Sequence, residues 1–264
     1  MNIFKRARIR YILHRHAIEH GRWAEVTEKL AVLQGLTAVE KAHLRELTTL
    51  FLHEKKFFGA QEFMLTDTMC LIIAAQACLP ALGLGIDCLS GWTGIIVYPG
   101  AFQISRDERD VAGVVHHQEQ VLIGESWSRG PLILSWDDVK RDLQGKQSGR
   151  NVVIHEIAHK LDMLNGPADG FPPLHHRMAV TEWSIALGAA YESLVQRVEH
   201  HHRVCINPYA ATSPAEFFAV ISEYFFSLPE ILHTHFADIY QQLKLYYRQN
   251  PLLRSHLIWT SLPI

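Results

Sequence analysis

The sequence predicts an α+β fold that is rich in helices and contains a small mixed sheet. Through the first 80 or so residues, apolar positions recur three and four apart, as at Leu44, Leu47 and Leu50, which is the spacing of an amphipathic helix. Two later runs, Trp92 to Ile104 and Pro131 to Trp136, are rich in β-branched and aromatic residues and flanked by glycines, as short strands are.

Further helices are predicted after the second strand. They are Val152 to Leu164, Thr181 to Glu199, Ala215 to Phe226 and Ile231 to Tyr247. No internal repeat and no clear linker divides the chain. We therefore expect a single domain over residues 1–264, with a helical N-terminal region at about 1–80.

The composition is that of an ordinary soluble globular protein. Hydrophobic residues make up 48% of the 264 residues, charged residues 20%, and the net charge is -2, so no strong overall field favours direct nucleic-acid binding. The four cysteines show no paired spacing and no signal-peptide pattern opens the chain. We expect free thiols and a cytoplasmic location.

Two segments raise the question of membrane contact. Met69 to Ile86 is apolar and uncharged, but Gln76, Pro80 and Gly83 interrupt it, so a buried helix followed by a loop is expected rather than a membrane span. The N-terminal basic run is interpreted as a solvated helix face, with a membrane-surface or acidic-partner contact as the alternative. It consists of Lys5, Arg6, Arg8, Arg10 and Arg15.

Histidine is abundant, with 17 residues. The groups His116-His117, His175-His176 and His200-His201-His202 are expected to be surface residues, because adjacent side chains on a helix or strand point in different directions.

His155-Glu156-Ile157-Ala158-His159 has the spacing of a metal site on a helix. At 100° per residue the two histidines lie about 40° apart on one face, so both imidazoles can reach one tetrahedral zinc ion. Glu156 lies to the side, where it can act as the base that takes a proton from zinc-activated water and passes it to the leaving amine. Ser148 or Asn151 can cap this helix.

A third protein ligand is needed, and spacing alone leaves several carboxylates open. The metzincin pattern is excluded, because Asp162 and Asn165 stand where that class has glycine and histidine. Asp162 is better suited to orient an imidazole, and Asp169 lies in a loop whose geometry the sequence does not define. A later helix carries both Glu216 and Glu223, and spacing alone does not distinguish between them as the third ligand.

Glu216 also has an ordinary structural explanation. Ser213-Pro214-Ala215-Glu216 is a good capping box, in which Glu216 reaches back to the start of its own helix.

Longer stretches around these residues resemble the Mlc titration factor A family, which are bacterial zinc metallopeptidases. The resemblance covers nearly the whole chain. It rests on the segment from His155 to Asp162, on Asn207-Pro208-Tyr209-Ala210-Ala211, on Ser213 to Ala219, on Glu62-Phe63 and on Gly91 to Tyr98. It implies a zincin-like metallopeptidase fold, with a catalytic core similar to the metallopeptidase domain of anthrax lethal factor.

The resemblance also implies site residues and partners. Zinc is expected to be bound by His155, His159 and Glu216, with Glu156 as base and Tyr209 assisting the transition state. The position four after Glu216 is Val220, where many related enzymes place an aspartate, so Asp162 is the first candidate to hold a histidine. Aminopeptidase activity on small peptides and binding of the glucose-uptake repressor Mlc are implied, and a repressor-binding protein with structural zinc is the alternative.

Overall fold

The computed structural model describes residues 3–100, 130–144 and 149–254. The described helices are α1 Ile3–Arg15, α2 His20–Glu28, α3 Ala38–Glu54, α4 Asp67–Cys78, α5 Trp136–Gln144, α6 Val152–Asp162, α7 Val180–Glu199, α8 Pro214–Ser227, α9 Pro229–His235 and α10 Ala237–Tyr247. The strands are β1 Lys56–Gly59, β2 Gly94–Tyr98 and β3 Leu132–Ser135. The helix-rich α+β class predicted from the sequence is confirmed. The pair His116-His117 and the end of the predicted strand at Ile104 lie outside the described residues.

The sheet has the order β1-β2-β3, and both strand pairs are parallel. The expected mixed character is therefore not seen among the described strands. The chain reaches β2 from β1 through helix α4, which is the crossover that a parallel pair requires. Strand β1 was not predicted, since its four residues are too few to show alternation and directly follow a long helix.

Helix α4 forms part of the core. Thr66 caps its first turn by accepting a hydrogen bond from the Met69 backbone N–H, and Leu71, Ile73 and Ala75 are at most 1% exposed. Short 3-10 turns follow at Pro80–Leu82 and Ile86–Leu89. This confirms the prediction of a buried helix followed by a loop. Within the described ranges, no helix is both long enough and apolar enough to cross a bilayer.

The basic residues of α1 are all exposed, as the solvated-face interpretation predicted, and Ile12 is the buried residue of this helix. The predicted helix from Ile231 to Tyr247 is instead two helices, α9 and α10. Phe236 separates them with a non-helical backbone (φ -139°, ψ 55°), and its side chain packs against the core at the bend.

Helices α6 and α8 pack against each other and carry the residues of interest. On α6, the apolar arc opposite the histidines is fully buried and consists of Val153, Ile154, Ile157, Ala158 and Leu161. On α8, an unbroken run from Phe217 to Ile221 is at most 1% exposed. Because both helices are anchored by buried apolar side chains, the polar residues between them have fixed positions.

Candidate metal centre

Helix α6 begins with its backbone donors satisfied by side chains. Asn151 caps the helix by accepting a hydrogen bond from the Ile154 N–H at 2.9 Å, while the other predicted cap, Ser148, lies outside the described residues. The Val152 N–H donates to Asp142 at 2.7 Å, and the Asn151 N–H donates to Glu223 at 2.5 Å. These bonds pair groups that a helix start leaves free.

His155, His159 and Glu216 bring three potential ligand atoms together. The Nε2 atoms of the two histidines are 3.2 Å apart, and Oε2 of Glu216 lies 3.1 Å from the first and 3.4 Å from the second. Ligands bound to a tetrahedral zinc ion at about 2.0–2.1 Å are roughly 3.3 Å from one another. All three separations match that value, so the residues fit a metal ion.

The surroundings of Glu216 support the same fit. Its Oε2 is buried, yet it has no partner with acceptable hydrogen-bond geometry among the described residues. An orphaned buried carboxylate oxygen is costly unless a cation stabilises it. Among the described residues, this trio is also the only group of three or more His, Cys, Asp or Glu side chains arranged so that they could hold a metal, and none of the other histidine clusters belongs to one.

Only half of the predicted capping box forms at the start of α8. Ser213 accepts a hydrogen bond from the Glu216 backbone N–H at 3.2 Å, as a cap should. The Glu216 carboxylate, however, is directed at the two histidines instead of returning to the Ser213 backbone.

Glu223 occupies a different position from Glu216. Its Oε1 lies 2.8 Å from Nδ1 of His155, on the far side of the ring from Nε2. Glu223 is buried, with 5% of the residue exposed. A carboxylate accepts here, so Nδ1 carries a proton, and Nε2 is the ring nitrogen left to bind a metal ion. Sequence reasoning weighed Glu223 only as a competing ligand and missed this contact with His155.

Asp162 does not hold an imidazole, and that expectation was wrong. The side chain is fully buried, and its Oδ2 accepts a hydrogen bond from the Gly170 N–H at 2.8 Å, while Oδ1 has no hydrogen-bond partner in the described ranges. Asp162 ends α6, and its carboxylate is bonded to the backbone of the loop that follows. Asp169 lies apart from the trio and accepts from the Phe171 N–H at 2.9 Å.

The charges of the site are strongly coupled. Burial alone would lower the pKa of His155, but the adjacent carboxylates of Glu216 and Glu223 outweigh burial and raise it to about 10. Burial likewise opposes ionisation of Glu216, yet contacts with His155 and His159 hold its pKa well below the usual range. Burial raises the pKa of Glu156. The two carboxylates around His155 therefore favour positive charge at this point.

Glu156 and Tyr209 flank the trio. Glu156 is partly buried on α6. Tyr209 lies in the 3-10 turn Pro208–Ala211, where Asn207 accepts a hydrogen bond from its N–H at 3.1 Å. The phenol ring is 6.3 Å from the ring of His155, centroid to centroid, and Tyr209 is 50% exposed. Partial burial and the nearby Glu216 carboxylate raise the pKa of Tyr209 to about 12, so its hydroxyl is a proton donor at neutral pH.

Known proteins match this chain over most of its length. The family model described as glucose-regulated metallo-peptidase M90 matches residues 3–248. Mlc titration factor A of Escherichia fergusonii is 40% identical over 227 residues, which cover 85% of this chain and 85% of that protein. Mlc titration factor A of Cronobacter sakazakii is 38% identical over 235 residues, 88% of each chain. The same-named protein of Pectobacterium atrosepticum is 39% identical over 228 residues, 85% of each chain. This chain therefore belongs to the glucose-regulated metallo-peptidase M90 family.

Proposed function

We propose that this protein is a zinc-dependent metallopeptidase of aminopeptidase type, located in the cytoplasm, which hydrolyses peptide bonds in small peptides. The observation that carries the proposal is the geometry of the trio: His155, His159 and Glu216 place three ligand atoms 3.1–3.4 Å apart, at the separations of a tetrahedral zinc site. Two neutral imidazoles and one carboxylate are also a donor set that zinc hydrolases use.

A zinc ion at this site supplies Lewis-acid chemistry, polarising a substrate carbonyl and making water more acidic. The chain's own residues then handle the protons. Glu156 takes a proton from the attacking water and delivers it to the leaving amine nitrogen, and its raised pKa suits both transfers. Tyr209 donates a hydrogen bond to the oxygen that becomes negative as water adds to the carbonyl.

The test of this function is a Glu156→Gln variant of the full chain. The amide keeps the size of the side chain but cannot accept a proton, so hydrolysis of a chromogenic aminoacyl anilide should fall at least about a hundredfold. Zinc content, measured on the same preparation, should stay at one ion per chain because Glu156 is not a proposed ligand. Glu199→Gln, an exposed position at the end of α7, is the matched control and should retain activity.

Two outcomes would contradict the enzyme proposal. If Glu156→Gln hydrolyses the anilide as fast as the wild type, Glu156 is not the base. If the wild type binds zinc and shows no hydrolysis above that of Glu156→Gln, the catalytic role is absent.

We also propose that the protein binds the glucose-uptake repressor Mlc and thereby regulates sugar-transport genes. The support is the name shared by its relatives, Mlc titration factor A. Pull-down of purified Mlc by the wild type and by Glu156→Gln separates the two roles. Equal retention is expected if repressor binding does not need catalysis. This result, combined with absent hydrolysis in the wild type, would favour the second candidate, a repressor-binding protein with structural zinc.

The position of the peptide remains a prediction. Strand β3 lies at one end of the sheet order β1-β2-β3. Its outer edge, which pairs with no other described strand, is proposed to pair with an extended substrate through backbone hydrogen bonds, which tolerate many side chains.

A further inference from the structure

A cavity of about 510 Å³ lies between α1, the end of α3 and the loop that leads into β2. One side of it is apolar and formed by Ile9, Ile12, Leu50, Ile86 and Trp92. None of the residues of the candidate metal centre lines it. The volume is in the range of sites that hold small organic molecules, which typically combine apolar walls with a few polar groups.

Lys55 is one of the residues that line this cavity, and it is the buried cation among them. Lys55 is only 7% exposed, and its Nζ donates hydrogen bonds to the carbonyl oxygens of Leu89 at 2.5 Å and Trp92 at 2.6 Å. The Nζ also lies 3.7 Å from the centroid of the Trp92 ring. An ammonium has three donors, so one remains after these two bonds. Burial lowers the pKa of Lys55 to about 8.

Lys55 has no carboxylate partner within ion-pair distance among the described residues, although buried charges are normally paired. The two acids that line the cavity are already engaged. Glu54 pairs with Arg8 at 3.3 Å, and Asp87 pairs with Lys5 at 2.5 Å. Among the described groups that line the cavity, the ammonium of Lys55 is therefore the cation without an acidic partner.

Helix α1 forms the outer wall and strengthens this positive field. It carries five Lys or Arg residues and no acid, in a chain whose net charge is -2. Ile12 is its buried residue. The ion pairs Lys5–Asp87 and Arg8–Glu54 are partly exposed, and such surface pairs contribute little to stability. The basic residues of α1 therefore favour the approach of an anion from this side of the cavity.

We propose that this cavity binds a small carboxylate with an apolar body, in which the carboxylate pairs with Lys55 and the body packs against Ile9, Ile12 and Trp92. The carboxylate takes the third donor of the ammonium and supplies a countercharge that no acidic residue in the described ranges provides. The apolar wall excludes small inorganic anions as good ligands, because they leave it unfilled.

Octanoate is a suitable probe, and its binding to the full-length protein can be measured by isothermal titration calorimetry. We expect one saturable site per chain. Lys55→Met keeps the length of the side chain and removes the charge, and should weaken binding about tenfold or more, the factor expected for a charge-assisted hydrogen bond. Lys56→Met removes the same charge from the next, exposed residue and should leave binding unchanged.

Ile9→Trp is a second variant, in case Lys55→Met disturbs folding. Ile9 is only partly buried, so a larger side chain fills the cavity without entering the core, and it should also weaken octanoate binding. Since carboxylates coordinate metals, the titration is repeated with excess EDTA, and binding should persist.

Four results would overturn the proposal. These are the absence of octanoate binding up to about 10 mM, equal affinity in wild type and Ile9→Trp, loss of binding on metal removal, and binding of octanol as tight as that of octanoate.

Discussion

Glu223 holds His155 from the side of the ring opposite Glu216, with its Oε1 2.8 Å from Nδ1. Its other oxygen accepts the Asn151 N–H at the start of the same helix. One carboxylate thus sets both the rotation of the imidazole and the beginning of α6, which carries both histidines.

Replacing Glu223 by Gln should therefore weaken zinc binding without removing a ligand. Loss of a carboxylate that orients a metal-binding histidine typically costs about 10–100-fold in metal affinity. Competition with a chromophoric chelator measures this constant directly. Glu230→Gln, an exposed position on α9, is the control and should bind zinc as the wild type does. An unchanged affinity in Glu223→Gln would show that its contact with His155 has no role in metal binding.

Tyr209→Phe should lower kcat while leaving zinc content unchanged, because the phenol is proposed to donate to the developing oxyanion and is not a proposed ligand. One such donor is typically worth about 10²–10³ in kcat. Steady-state kinetics on the aminoacyl anilide separate kcat from KM. Tyr11→Phe, on the exposed face of α1, is the control. A variant that raises KM alone would place Tyr209 in substrate binding instead.

Gly170 joins the two helices of the metal centre, and substitution there should destabilise the protein. Its N–H donates to Asp162 at the end of α6, its φ is +81°, and a Cβ would lie 2.6 Å from the carbonyl oxygen of Pro214 at the start of α8. Gly170→Ala should therefore cost about 1–3 kcal/mol of unfolding free energy in urea.

Substitution of a second glycine should change the unfolding free energy in the opposite direction. Gly188 lies inside α7, and a Cβ there meets nothing within 4 Å. Gly188→Ala should stabilise the protein by about 0.5–1 kcal/mol. Equal effects at the two positions would contradict the close approach of Gly170 to α8.

Asp142 should make stability depend on pH. Its side chain is 4% exposed, and burial raises its pKa to about 6, despite the hydrogen bond it accepts from the Val152 N–H. The folded state then binds more protons than the unfolded state between about pH 4 and 6, so stability falls as pH rises through that window and levels off above it.

Asp142→Asn should remove this slope, which amounts to about 2 kcal/mol over the window. Urea unfolding at a series of pH values, wild type against variant, measures it. Asp137→Asn on the same helix, with a half-exposed side chain, should keep the wild-type slope. A slope of the same size in Asp142→Asn would mean that other groups cause it.

The sequence alone was sufficient for features that depend on neighbouring residues. The i, i+4 spacing of His155 and His159 determines that both lie on one helical face, whatever the rest of the fold. The buried character of α4 and the cap at Ser213 also follow from local pattern and chemistry. By contrast, β1 is too short to show an alternation of apolar and polar residues. The helix break at Phe236, whose side chain packs against the core, also has no signal in the local sequence.

Only the tertiary structure shows how the positions of Glu216 and Glu223 differ. Both residues lie on one face of α8, so spacing could not separate a residue near Nε2 of His155 from one that holds its Nδ1. Spacing likewise could not predict that Asp162 accepts a hydrogen bond from Gly170 in the following loop. Local sequence determines which side chains share a helix face, whereas the packing of α6 on α8, residues more than 50 positions apart in the chain, determines which atoms of those side chains meet.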